Sequence, residues 1–239
     1  MISQMTSEAV VLLHGLAANR LAMVRLARFL ASDGFHVENW GYRSIRRSIE
    51  WHAQEFSERL REFDGSQHHD RMHIVTHSMG GIIARRALNL DRPANLGRFV
   101  MLGPPNSGSH VARRLANTLG RICRPLRELS DDAESYVNRL DEPTGVDLGM
   151  IAAESERVAK LLSTFLMSQS DQLVLPGHHG VLPWRRDTGH QVVHFLRNGE
   201  FNWRLQSESG STPTHLLRCQ RTSLRSRSIS NSNTNRDSG

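Results

Sequence analysis

A chain of 239 residues with 38% hydrophobic content is long enough for one α/β domain with a full core. Its net charge is +6, but residues 204–239 alone carry +4, from six arginines against Glu208 and Asp237, so the rest sits near neutrality at +2. With no aromatic residue after Trp203 to stack on bases, nothing here predicts a nucleic-acid partner.

Residues 9–13 form a short continuous apolar run, as a strand buried on both faces does, and His14-Gly15 ends it. Met23, Leu26, Ala27 and Leu30 then recur at helical spacing up to the stop at Asp33-Gly34. A second strand is predicted over 35–40. A second helix follows, with Ile49, Ala53, Phe56, Leu60 and Phe63 on one face and Ser48 as its N-cap. Residues 65–70 read as a polar turn, 72–76 as a third strand and 79–90 as a helix stopped before Pro93. Further strands are predicted at 99–103, 149–153 and 172–175, with a last helix over 187–197 capped by Asn198-Gly199. Strands alternating with helices predict a mostly parallel central sheet flanked by helices, an α/β fold.

The 45 residues from 104 to 148 exceed an ordinary crossover, and they predict a cap or lid-like insertion. Residues 204–239 are Ser/Arg-rich and predicted to be a disordered tail, leaving 1–203 as the folded domain. No apolar run approaches the roughly 18 residues of a membrane-spanning helix. The N-terminus has neither a basic leading region nor a cleavage site, so no signal peptide is expected. The only cysteines, Cys123 and Cys219, lack metal or redox spacing. A reduced, cytoplasmic protein is the expectation.

The stretch IVTHSMGG, residues 74–81, carries the chemistry. A serine hydroxyl is a poor nucleophile unless a base takes its proton and a sharp strand-to-helix turn lifts it clear of the backbone. Strand, His77, Ser78, Met79, Gly80 and helix supply that turn, the pattern G-x-S-x-G being altered at its first position to Thr76. His14-Gly15-Leu16, directly after the first strand, is placed to offer the Leu16 N–H as one oxyanion donor, with the Met79 N–H as the other. A base is expected on the loop after the last strand, where His178 and His179 stand side by side. An acid is expected just past residues 149–153, where Glu154 and Glu156 lie. Asp171 is a second choice, on the wrong end of its strand.

Taken in order, VVLLHGL, HIVTHSMGG, FVMLGPPNSGS, LGMIAAESERV, DQLVLPGHHG and VVHFLRNGEF resemble the α/β-hydrolase superfamily, and within it the small bacterial triacylglycerol lipase and esterase group with HSMGG elbows. The resemblance runs from about residue 9 to 203 and tolerates Thr76, because members of the group carry Ala or Thr there. It implies a hydrolase fold minimal at its N-terminus, with Ser78 as nucleophile, His179 as base through an LPxxH pattern, and Glu156 in the acid position that relatives usually fill with Asp. The implied reaction is cleavage of a carboxylic ester through an acyl-enzyme, on a small ester or lipid substrate, with no metal or organic cofactor. The alternatives are an acyltransferase with the same triad and a non-catalytic binding protein of this fold. Peripheral contact with lipid is compatible with this reading; chain length of the acyl group and oligomeric state are not specified by it.

Overall fold

The computed structural model describes residues 7–67, 69–155 and 166–203. Its frame is a six-stranded sheet: β1 (Glu8–Leu13), β2 (His36–Trp40), β3 (Arg71–His77), β4 (Leu96–Leu102), β5 (Asp147–Ala153) and β6 (Asp171–Leu175). The spatial order is β2-β1-β3-β4-β5-β6, and every pairing is parallel. From β1 the chain steps out to β2 and then returns past β1 to β3. The strand order thus reverses between β1 and β3, and that is where open parallel sheets form a crevice at their carboxyl ends. His14 and Ser78 are the residues that follow those two strands.

Alternate residues of the central strands serve opposite faces, and both faces are apolar. Val11, Leu13, Ile74 and Met101 pack with α2 (Ile49–Gln67) and α3 (Met79–Leu90), around the fully buried Phe56. Val10, Leu12, Val75, Val100 and Leu102 pack instead with α1 (Val24–Ser32) and the last helix, Arg186–Asn198, around Phe195. Burial on both faces is why these strands read as unbroken hydrophobic runs. At about 25 cal/mol per Å² of apolar surface, these two layers are the main source of stability.

The expected elements are present with shifted ends. A 3-10 turn, Arg20–Met23, precedes α1 and is capped by Asn19, whose side chain accepts from Leu21 N at 2.9 Å. Ser48 does cap α2, its hydroxyl accepting from Trp51 N at 3.1 Å. The turn expected from Gly65 is absent, because α2 runs on to Gln67. A helical glycine costs only about 1 kcal/mol, and the position is open, a Cβ there meeting nothing within 4 Å.

Residues 103–146 contain α4 (His110–Leu119), a short α5 (Pro125–Glu128) and a 3-10 turn, Val137–Arg139. The excursion closes on itself where Ser109 bridges Ser130. Two anchors fix it to the domain. Glu128 accepts from Ile49 N at 2.6 Å, and the buried guanidinium of Arg85 in α3 donates to the carbonyls of Leu140, Asp141 and Asn106. The last helix, α6 (Arg186–Asn198), ends on Gly199 in the left-handed conformation, as expected.

Candidate active site

The turn from β3 into α3 is held in an unusual backbone state. Ser78 has φ 54° and ψ −125°, and it is one of two non-glycine residues with positive φ among those described. Such a conformation costs about 1–3 kcal/mol and persists only where surrounding structure imposes it. Here the imposing contacts are visible: Ser78 N donates to Leu102 O at 2.9 Å, and Gly81 N donates to Ser78 O at 2.9 Å. The side chain of Ser78 stays half-buried while its neighbours His77 and Met79 are buried.

Close approach explains the glycines. A Cβ on Gly80 would stand 2.7 Å from His14 O and 2.9 Å from Leu13 O, so only glycine lets α3 start against the end of β1. Thr76, the departure from the elbow pattern, points its Oγ1 to within 3.2 Å of where a Cβ of Gly81 would be. The bulk gained at residue 76 is thus accommodated by the second glycine of the pair. Gly15 is the counterpart on the loop after β1, its Cβ position lying 2.9 Å from Ser78 Cβ.

That loop is fixed by a buried histidine. His14 Nδ1 pairs with Gly15 O at 2.9 Å, which makes Nδ1 the protonated nitrogen, and Nε2 accepts from Tyr42 N at 3.4 Å. Burial pulls its pKa down and keeps it neutral. Tyr42 stacks on the imidazole at 4.3 Å and donates its hydroxyl to His14 O at 2.7 Å. Leu16 follows half-buried, and Ala17 takes φ 55°. His14 is therefore a scaffold for the Gly15-Leu16 backbone beside Ser78.

Of the two adjacent histidines, His178 occupies the cap position of the 3-10 turn His179–Trp184 and is exposed. His179 turns inward. Its ring lies 4.8 Å from that of His77, and His77 Nε2 donates to His179 O at 3.1 Å. Its Nδ1 is 2.7 Å from where a Cβ of Gly103 would be. Gly103 follows β4 with φ 57° and donates its N–H to Ile151 O at 2.7 Å. So Ser78, hydrogen-bonded to Leu102, and His179, seated on Gly103, flank the same chain end.

The expected acids separate. Glu156 lies outside the described residues. Glu154 is exposed, and its N–H donates to Leu175 O at 2.8 Å, while Ser155 N donates to Gly177 O at 3.1 Å. These bonds zip the loop after β5 to the loop carrying His179. Asp171 begins β6 at the opposite end of the sheet and accepts from Phe201 N at 2.7 Å and Gln172 N at 2.8 Å. Burial raises its pKa.

Two contributors go unnoticed in the sequence: Tyr42, which clamps His14, and Arg85, which ties residues 106, 140 and 141 to α3. Gly103 belongs to the stretch FVMLGPPNSGS, and the ring resting on it explains why that position is glycine. Arg85 left a trace, as a charge inside the apolar run of α3, where a buried arginine must find carbonyl acceptors.

A family model described as the alpha/beta hydrolase family matches residues 10–202. The chain belongs to that family. Among curated proteins no sequence match was found. Solved structures with the same fold include the phospholipase PlaB of Legionella pneumophila in complex with thio-NAD, 21% identical with a TM-score of 0.51 over 64% of this chain and 39% of that one. The mature lipase BlEst2 of Bacillus licheniformis is 15% identical, with a TM-score of 0.56 over 73% of this chain and 85% of that one. Lipase B of Aspergillus fumigatus is 14% identical, with a TM-score of 0.61 over 80% and 53%. This chain thus spans about two fifths of the Legionella phospholipase. No helix among the described residues is long and apolar enough to cross a membrane.

Proposed function

We propose that the protein is a serine hydrolase of carboxylic esters, lipase- or esterase-like. The observation that carries this reading is the strained backbone of Ser78 at the carboxyl end of β3, with the His179 imidazole seated on the neighbouring Gly103. A serine that merely capped α3 would not need φ 54°, and its side chain makes no capping bond to that helix.

In the reaction, Ser78 Oγ attacks the ester carbonyl while His179 takes its proton, and the N–H groups of Leu16 and Met79 receive the oxyanion. His179 returns the proton to the leaving alcohol, and a water repeats the sequence on the acyl-enzyme. Glu156 serves as the acid that orients the imidazole; it follows Glu154 and Ser155, whose N–H groups are tied to Leu175 and Gly177 just before His179. Residues 104–148 act as a cap beside the entrance, supported by the anchoring of α5 at the start of α2.

A fluorophosphonate probe tests the assignment. Folded wild-type protein should be labelled and Ser78→Ala should not. Unlabelled wild-type protein with an intact circular-dichroism spectrum would remove the hydrolase reading.

A further inference from the structure

Among the described residues, twelve large apolar side chains are exposed, and nine of them sit on segments that leave the carboxyl ends of the strands, the end at which Ser78 follows β3. They are not scattered as surface hydrophobics ordinarily are. Helix α4 shows the pattern most clearly. It buries Ala112 and packs Ala116 inward, yet it presents Val111, Leu115 and Leu119 to solvent, with Ile122 just beyond at 72% exposure. A helix that shows its large side chains outward and its alanines inward is inverted relative to an ordinary surface helix.

Arginines interleave with these side chains. Exposed Arg113, Arg114, Arg121, Arg124 and Arg127 accompany α4 and α5, where the single acid over 110–128, Glu128, receives Ile49 N and pairs with Arg124 at 3.5 Å. The loop 41–48 adds exposed Arg43, Arg46 and Arg47 around exposed Ile45, with no acid, and Arg47 lies over Trp51. The bond from Ile49 to Glu128 joins the two segments into one surface, and Tyr42 in the loop is the residue clamped on His14. Acids at the margin limit it: Asp131 and Asp132 pair with Arg113, and Glu50 pairs with Arg86.

We infer that this rim docks on an anionic lipid bilayer, arginines on headgroup phosphates and the α4 side chains between the acyl chains, so that the Ser78 entrance faces the membrane. Resting on the hydrolase reading above, this makes a membrane lipid ester the substrate class. Nucleic acid would satisfy the arginines but offers nothing to Val111, Leu115 and Ile122. A second copy of the rim would cover the apolar side chains but set like charges against like. An anionic bilayer satisfies both sets at once.

The test uses full-length Ser78→Ala protein, which binds without turnover, and sedimentation with vesicles of phosphatidylcholine alone or mixed with phosphatidylglycerol. Binding should be about tenfold stronger with phosphatidylglycerol and fall at high salt. Combined Arg43→Glu, Arg46→Glu and Arg47→Glu, and separately Val111→Ser, Leu115→Ser and Ile122→Ser, should each reduce it by about tenfold or more. Leu90→Ser with Trp203→Ser, at the other end of the sheet, should not. Equal binding to both vesicles, binding untouched by both rim variants, or salt-resistant dimers would overturn the proposal. If a variant fails to fold, hydrogen exchange on vesicle-bound protein decides, since protection must appear at 41–51 and 110–127 and its absence there refutes docking. Turnover of a water-soluble ester by wild-type protein is scored separately, so loss of docking and loss of the hydrolase reading give different results.

Discussion

The two ends of the sheet carry similar residues and differ in what the backbone does with them. At the amino end, His73 Nδ1 accepts from Arg98 N at 2.8 Å, Arg98 reaches Asp147 at 3.4 Å and Leu196 O at 2.5 Å, and Asp171 holds Phe201. A cavity of about 460 Å³ opens there beside Arg71, Arg98 and Asp147, far from Ser78. At the carboxyl end, Ala17, Ser78 and Gly103 all take positive φ, and glycines let chain segments meet at contact distance. Titratable side chains and a cavity mark the amino end, and strained backbone marks the carboxyl end, where it supports the proposed nucleophile.

That contrast can be broken by mutation. The largest effect is expected at the carboxyl end: Ser78→Ala and His179→Ala should each lower kcat/KM for a p-nitrophenyl ester by about 10³–10⁴-fold. His178→Ala should stay within about threefold, because its side chain points to solvent; a reversal of the two histidines in such assays would refute the assignment of the base.

Acid should weaken both ends. Burial pulls the pKa of His73, at the amino end, and of His52, which packs on Tyr42, from 6.5 to about 4. Below pH 6.5 the unfolded chain takes up protons that these buried rings refuse. Stability from each is therefore present above pH 6.5 and lost as pH falls toward 4, on the order of 3 kcal/mol per ring. Urea unfolding from pH 7 to pH 4 should show this slope, and His73→Gln should flatten it; an unchanged slope would contradict the neutral buried state.

Gly80→Ala sets a methyl 2.7 Å from a backbone carbonyl and should cost about 1–3 kcal/mol while also depressing turnover, since it pushes α3 away from the His14 loop. Asp171→Asn should cost about 1 kcal/mol in thermal unfolding and leave turnover unchanged. A loss of activity without loss of stability would contradict the separation of the two ends.

The parallel sheet was legible because strands buried on both faces must read as apolar runs, and α2 because its face repeats Ile49, Ala53, Phe56, Leu60 and Phe63. Gly65 is a local breaker that the continued helix to Gln67 outweighs, so the turn expected there does not form. Ser78 and the His14-Gly15-Leu16 loop were legible as local motifs beside strands. The residues alone left His178 and His179 open and only the LPxxH resemblance favoured His179; the fold turns His178 to solvent and sets the His179 ring on Gly103, 76 residues earlier. Glu154 and Glu156 raise the same difficulty, with Glu156 outside the described residues.

Arg85 has a consequence for the order of assembly. Its bonds reach 55 and 56 residues along the chain, to Leu140 and Asp141, so they form only once α3 is in place. The segment between them has its own short-range closure at Ser109 and Ser130. It can therefore lengthen or shorten between those clasps without disturbing α3, and Arg85→Ala should let it open at far lower cost than the sheet beneath. On the proposed reading, the cap opens on a hinge separate from the turn that carries Ser78.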